Sequence, residues 1–171
     1  MIERKTFPLE IKGIEEDGHF TGYAATFNNV DLGNDKILPG AFRKTLKQKK
    51  LWPLFLYHRI EQPVGGFQGI EDQRGLFING KLTLEVQRAR EARALMKEKV
   101  LNGLSIGYET VISHYEGNVR IIEEVKLYEV SIVPFPMNLE AEVIDVKSDS
   151  INKGQAPTLF SPIIEELKKR W

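Results

Sequence analysis

Apolar and polar positions alternate with period two along most of the chain, and the period lengthens to that of a helix in only a few places. Phe7, Leu9 and Ile11 alternate with polar residues, Glu15, Glu16, Asp17 and Gly18 supply a turn, and an apolar run over 20–27 returns, which predicts a hairpin over 5–28. A run of strand length over 51–57 ends at His58. Two further strands are expected over 67–70 and 76–84, joined by a polar turn. Strands follow over 103–112, 119–122 and 126–133, with a short edge strand over 141–146. Pro39 is placed to open a helix continued by 41–50. Ala92, Leu95, Met96 and Val100 form the apolar stripe of a helix over 87–101, stopped by Asn102 and Gly103. Residues 148–158 have linker composition, and Ser161 and Pro162 open a short helix to Trp171. Many short strands and two main helices, without regular alternation, predict a β-rich α+β fold: a mostly antiparallel β-barrel surrounded by helices. The expected division is a domain over 1–147 and a tail over 148–171.

Two of these strands carry unusual residues. In Gly103-Leu104-Ser105-Ile106-Gly107 the glycines and the serine share one face, while Leu104, Ile106 and Tyr108 share the other. The first face is bare backbone with one hydroxyl, open to close approach by another chain. In the strand over 125–133 both faces are largely apolar, which places Glu129 in the interior. A buried carboxylate needs a partner, because desolvating a lone charge costs several kcal/mol.

Composition narrows the chemistry. The 171 residues suit one domain that buries roughly 70% of its unfolded surface. With 24 basic and 24 acidic residues, nothing draws the chain toward nucleic acid or an anionic membrane. The absence of cysteine excludes disulfides, thiol nucleophiles and Cys-ligated zinc. The first residues lack a signal-peptide core and no apolar run has the length of a membrane span, so a soluble intracellular protein is expected. Asn28 to Asp35 faintly resembles a calcium loop but lacks its sixth-position glycine and closing glutamate, so turn chemistry is expected. No cofactor and no metal are expected.

Of three histidines, His19 and His114 lie in polar turn contexts, and only His58 ends an apolar strand. A serine hydroxyl needs a base to become a nucleophile, imidazole is that base near neutral pH, and an acid fixes its tautomer. Ser105 as nucleophile, His58 as general base and Glu129 as third member complete an acyl-transfer set. Glu109 and Glu124 are the fallback acids, on less apolar strands. Gly-Leu-Ser-Ile-Gly also fits the nucleophile elbow of α/β-hydrolases, but a strand rather than a helix follows the serine, and no suitably placed histidine comes after it.

In order along about residues 5–145, Gly22-Tyr23-Ala24 with Asp31, Pro39-Gly40-Ala41-Phe42, His58, Gly75-Leu76, Gly103 to Tyr108, and Leu127 to Val133 leading to Pro136-Met137-Asn138 and Ala141 resemble the caudovirus prohead serine protease family. The resemblance implies a fold like that of the herpesvirus assembly proteases, with the chain order histidine, serine, third member. Glu129 departs from those enzymes, whose third member is a second histidine. It implies a serine endopeptidase that cleaves scaffold, or the scaffolding segment of the major capsid protein, and then itself, inside the immature capsid in the bacterial host, whether encoded by a phage or a prophage. The capsid or scaffold protein is the implied partner, a homodimer is suggested by the herpesvirus enzymes, and the tail fits a tether or self-cleavage region. By the same analogy the oxyanion hole falls to the backbone of Phe135, Met137 or Asn138. The competing readings are a non-enzymatic capsid-assembly scaffold with the same fold, an unrelated ligand-binding barrel, and a metal hydrolase.

Overall fold

The computed structural model describes Met1, residues 3–8 and residues 14–134. The strands are β1 (Glu3–Pro8), β2 (His19–Thr26), β3 (Asp35–Ile37), β4 (Trp52–Leu56), β5 (Pro63–Glu71), β6 (Gly75–Leu82), β7 (Gly103–Glu116) and β8 (Val119–Val133). Helix α1 (Arg43–Leu46) precedes β4, and α2 (Gln87–Lys97) precedes β7.

All eight strands join one sheet in the order β1-β7-β8-β4-β5-β6-β2, with β3 added on β8. The sheet curls until its end strands β1 and β2 come close without pairing. Most ladders are antiparallel; β3 and β4 run parallel to β8. Helix α1 packs on β8 and β5, and α2 on β5 and β6. The fold is therefore β-rich, as expected.

Alternation decides what the sheet buries. Leu104, Ile106 and Tyr108 of β7 are fully buried, as are Val130 and Ile132 of β8, Leu54 of β4, and Leu76 and Ile78 of β6. Burying each large apolar side chain contributes about 1.5–3 kcal/mol, so this layer fixes how β7, β8 and β4 lie relative to one another.

Several expectations change. The hairpin over 5–28 survives as a turn, in which Gly18 N–H donates to the Glu15 carbonyl, and one bridge between Ile14 and Phe20. Strand β1 pairs instead with β7, Thr6 opposite Ser105, and β2 pairs with β6. The two strands expected over 119–122 and 126–133 are one, because β8 keeps its ladder with β7 throughout by register shifts at Tyr108, Ile112 and Ser113. The helix expected over 41–50 is a single turn: Ala41 and Phe42 are buried before it begins, and the Thr45 hydroxyl accepts the Leu127 N–H. Asp31 accepts the N–H groups of Gly33 and Asp35, so the loop before β3 is held by turn chemistry. Leu9 and Ile11, the edge strand over 141–146, the linker and the terminal helix lie outside the described residues, as do Phe135, Met137 and Asn138.

Candidate active site

The site is assembled on the β7–β8 ladder. Ser105 lies opposite Ser131, and Gly107 lies opposite Glu129. Cross-strand partners share a face, so serine hydroxyls and a carboxylate gather on one surface while the apolar side chains fill the other. Only a glycine admits Glu129 there. A Cβ at position 107 would meet the Glu129 carboxylate closer than real Cβ atoms ever come.

His58 arrives from the opposite side of β8. Strand β4 pairs with β8 through Leu56, opposite Ile132, and the Tyr57 N–H still donates to the Ile132 carbonyl at 3.2 Å. Tyr57 and His58 then both take left-handed backbone, φ 55 and φ 59. Two consecutive non-glycine residues in that region cost about 1–3 kcal/mol each and persist only where the surroundings impose them. Here the turn is closed by the Arg59 N–H on the Leu56 carbonyl, and the His58 N–H donates to Ser131 Oγ at 3.1 Å. The ring swings back over β8 toward β7.

The result is a continuous hydrogen-bonded line. His58 Nε2 lies 2.7 Å from Ser105 Oγ, and His58 Nδ1 lies 2.6 Å from Glu129 Oε1. A carboxylate accepts, so Nδ1 carries the ring proton and Nε2 is left to accept from the serine. Glu129 is 6% exposed. Ser105 itself is fully buried, which corrects the open face expected from its glycine neighbours: the imidazole and the Glu129 carboxylate roof that face.

The other candidates lie elsewhere. Glu109 accepts from the Tyr128 hydroxyl, which holds its carboxyl below the ordinary range. Glu124 pairs with Lys44. His114, on the exposed part of β7, is raised by its hydrogen bonds to Glu123 and then Glu116. His19 contacts Asp17. With Glu15 these two form the described group spaced to hold a metal ion, but it is solvent-facing, and Asp17 already bonds both the ring and the backbone of His19. Ser131 went unassigned from sequence, although a hydroxyl two residues past a buried carboxylate on the same strand face was the available sign.

A buried serine and a buried carboxylate joined through a half-buried imidazole, on a curled β-sheet, have the connectivity by which a serine hydrolase activates its nucleophile, outside the α/β-hydrolase fold. The caudovirus prohead serine protease family matches residues 7–156, and the chain belongs to that family. It is 34% identical over 146 residues to the prohead protease of Enterobacteria phage HK97, covering 82% of this chain and 65% of that relative, so it spans just under two thirds of the relative's length. The bacteriophage T4 capsid assembly protease, gp21, is similar in fold, with a TM-score of 0.60 at 14% identity over 78% of this chain and 97% of that one.

Proposed function

We propose that the chain is a serine endopeptidase of phage prohead maturation, with Ser105 as nucleophile, His58 as general base and Glu129 as the acid that orients it. The observation that carries this reading is the line from Ser105 Oγ to His58 Nε2 at 2.7 Å and from His58 Nδ1 to Glu129 Oε1 at 2.6 Å. His58 takes the serine proton as Oγ attacks the scissile carbonyl, then gives it to the departing amine. A water activated by the same ring hydrolyses the acyl-enzyme. Glu129 stabilises the imidazolium formed in both halves. Backbone N–H groups of Phe135, Met137 or Asn138 are the proposed oxyanion donors.

The substrate is the capsid protein's scaffolding segment or a separate scaffold, followed by the protease's own tail, and the work is done inside the immature capsid in the host cytoplasm by the monomer or a homodimer. Family membership and the named relatives support this role. No helix among the described residues is long and apolar enough to cross a membrane.

The test is co-expression with the cognate capsid protein, comparing wild type with Ser105→Ala by intact mass. Trimming by wild type alone is expected, since loss of a serine nucleophile costs roughly a million-fold in turnover in subtilisin. Equal trimming by both would make the serine structural. Assembly without trimming by either would favour the non-enzymatic scaffold.

A further inference from the structure

Ser131 is fully buried, two residues beyond Glu129 on the same face of β8 and directly opposite Ser105. Its hydroxyl accepts the His58 backbone N–H at 3.1 Å and meets Glu129 Oε2 at 2.7 Å. A hydroxyl has one proton, and with a lone pair taken by His58 that proton goes to the carboxylate. Glu129 is then held at both oxygens, Oε1 by the His58 ring and Oε2 by Ser131. We infer that Ser131 is a positioning residue for this site: one hydroxyl sets both the rotation of the Glu129 carboxylate and the left-handed backbone that presents the His58 imidazole. The inference rests on the reading of Ser105, His58 and Glu129 as a catalytic set.

The two contacts act on different freedoms. The terminal torsion of a glutamate is broad and nearly two-fold, so a bond at one oxygen leaves the plane of the carboxylate loosely set, and a second donor fixes it. The backbone contact matters because the β4–β8 ladder ends at the Tyr57 N–H. The next amide, His58 N–H, has turned away from the strand, and Ser131 Oγ takes the place of a ladder carbonyl. Alanine at 131 would unpair that amide and free Glu129 Oε2 together, while the Ser105 hydroxyl itself is kept. A serine that merely filled a strand position would affect stability and leave the reactivity of each folded molecule alone.

The probe is an alkyl fluorophosphonate on the full chain. Ser105 Oγ forms a bond to phosphorus as the phosphorus–fluorine bond breaks, fluoride leaves, and the serine proton passes to His58. The rate at which Ser105 is modified, read by peptide mass, is compared among wild type, Ser131→Ala and Ser131→Thr, with Ser105→Ala as blank and circular dichroism confirming the fold. Ser131→Ala is expected to react about 10–100-fold more slowly, the scale that losing a supporting hydrogen bond has behind the ligands of metal sites. Ser131→Thr, which keeps the hydroxyl, restores most of that rate. The ¹⁵N spectrum of the His58 ring changes from one Nδ1–H tautomer in wild type to a mixture in folded Ser131→Ala. Should the alanine variant not fold, Ser131→Cys, similar in size with a feeble donor, carries the same expectation. Wild-type rates in the alanine or cysteine variant, or a folded threonine variant as slow as alanine, would overturn the positioning role while leaving the serine protease reading intact. Failure of wild-type Ser105 to react above the blank would overturn the catalytic reading and this inference together.

Discussion

Two polar clusters lie along β8, one near each end, and each ties three strands. Near the start, Arg120 reaches Asp35 of β3 at 2.6 Å and also pairs with Glu3 of β1. Near the end, Glu129 holds His58, just past β4, which in turn holds Ser105 of β7. Both contain a carboxylate under 10% exposed beside a basic group. The first is saturated with fixed charge. Asp35 pushes the Arg120 guanidinium further up, so it never releases a proton. Burial would raise Glu3, but hydrogen bonds from Thr110 and Arg120 and the charge of Arg120 outweigh it and hold the carboxyl below its ordinary value. The neighbouring Tyr108 phenol is pushed far upward, by burial first and then by Glu3 and Asp35, and stays protonated. Nothing there passes a proton near neutral pH. The second cluster places an imidazole between a hydroxyl and a carboxylate, and a proton can cross it. Similar burial and the same strand therefore yield a clamp in one case and the proposed reactive line in the other, and the difference is the group in the middle.

Glu129→Gln breaks the reactive cluster at its far end while keeping its shape. The amide can donate to Nδ1 and stabilise the wrong tautomer, so turnover on the proposed substrate, the cognate capsid protein, should fall about 10⁴-fold with the fold unchanged, as the Asp-to-Asn change in a Ser-His-Asp triad does. A loss under tenfold would show that Glu129 only fills space. Arg120→Met acts on the clamp instead. It removes the guanidinium that Asp35 and Glu3 share and should cost about 2–4 kcal/mol, below a fully buried pair because Arg120 and Glu3 keep some exposure. For a domain of this size that is about 5–15 °C in Tm. Turnover per folded molecule should not change. If it fell as far as in Glu129→Gln, the two clusters would be coupled rather than separate.

Gly107→Ala sharpens the comparison with a single methyl group. The new Cβ would overlap Glu129 Oε1, which His58 holds on one side while Ser131 holds the other oxygen. A free glutamate would swing aside at little cost; this one leaves its partners. Turnover should drop about 10–100-fold, on the scale of disturbing a supporting contact, with little change in Tm. A crystal structure with Glu129 still on His58 would refute the steric argument.

How much of this was legible in the sequence differs between the two clusters. The faces of β7 and β8 follow from period-two alternation, which put Ser105 on the glycine face, while the apolar character of both faces of the strand around Glu129 put that carboxylate inside. The pairing of β1 with β7 does not follow, because periodicity says which face a strand buries and not which distant strand it joins. That one fact hid the clamp, since Glu3 meets Arg120 only when β1 lies beside β7. The approach of His58 was also hidden: nothing in Tyr57-His58 marks two left-handed residues in succession, a conformation set by contacts with β8. The length of β8 was concealed because the strands expected over 119–122 and 126–133 leave out Glu123, Glu124 and Val125, which β8 crosses with a register shift against Ile112 and Ser113.

The mildest test separates the clusters by pH. The Glu3 carboxyl is lowered in the folded chain, so the unfolded chain binds its proton more readily. Its contribution is fully present above its ordinary value of 4.5 and is lost as pH falls through the lower folded value. Glu3→Gln removes that term. Wild type should therefore be the more stable at pH 7 by about 1 kcal/mol, the upper end for a partly exposed ion pair, or about 2–4 °C in Tm. The two melting temperatures should converge as the pH is taken below 4.5, with turnover at pH 7 unaffected. A constant gap across the acid range would mean that Glu3 contributes through packing and not through its charge, and the clamp would then rest on Asp35 and Arg120 alone.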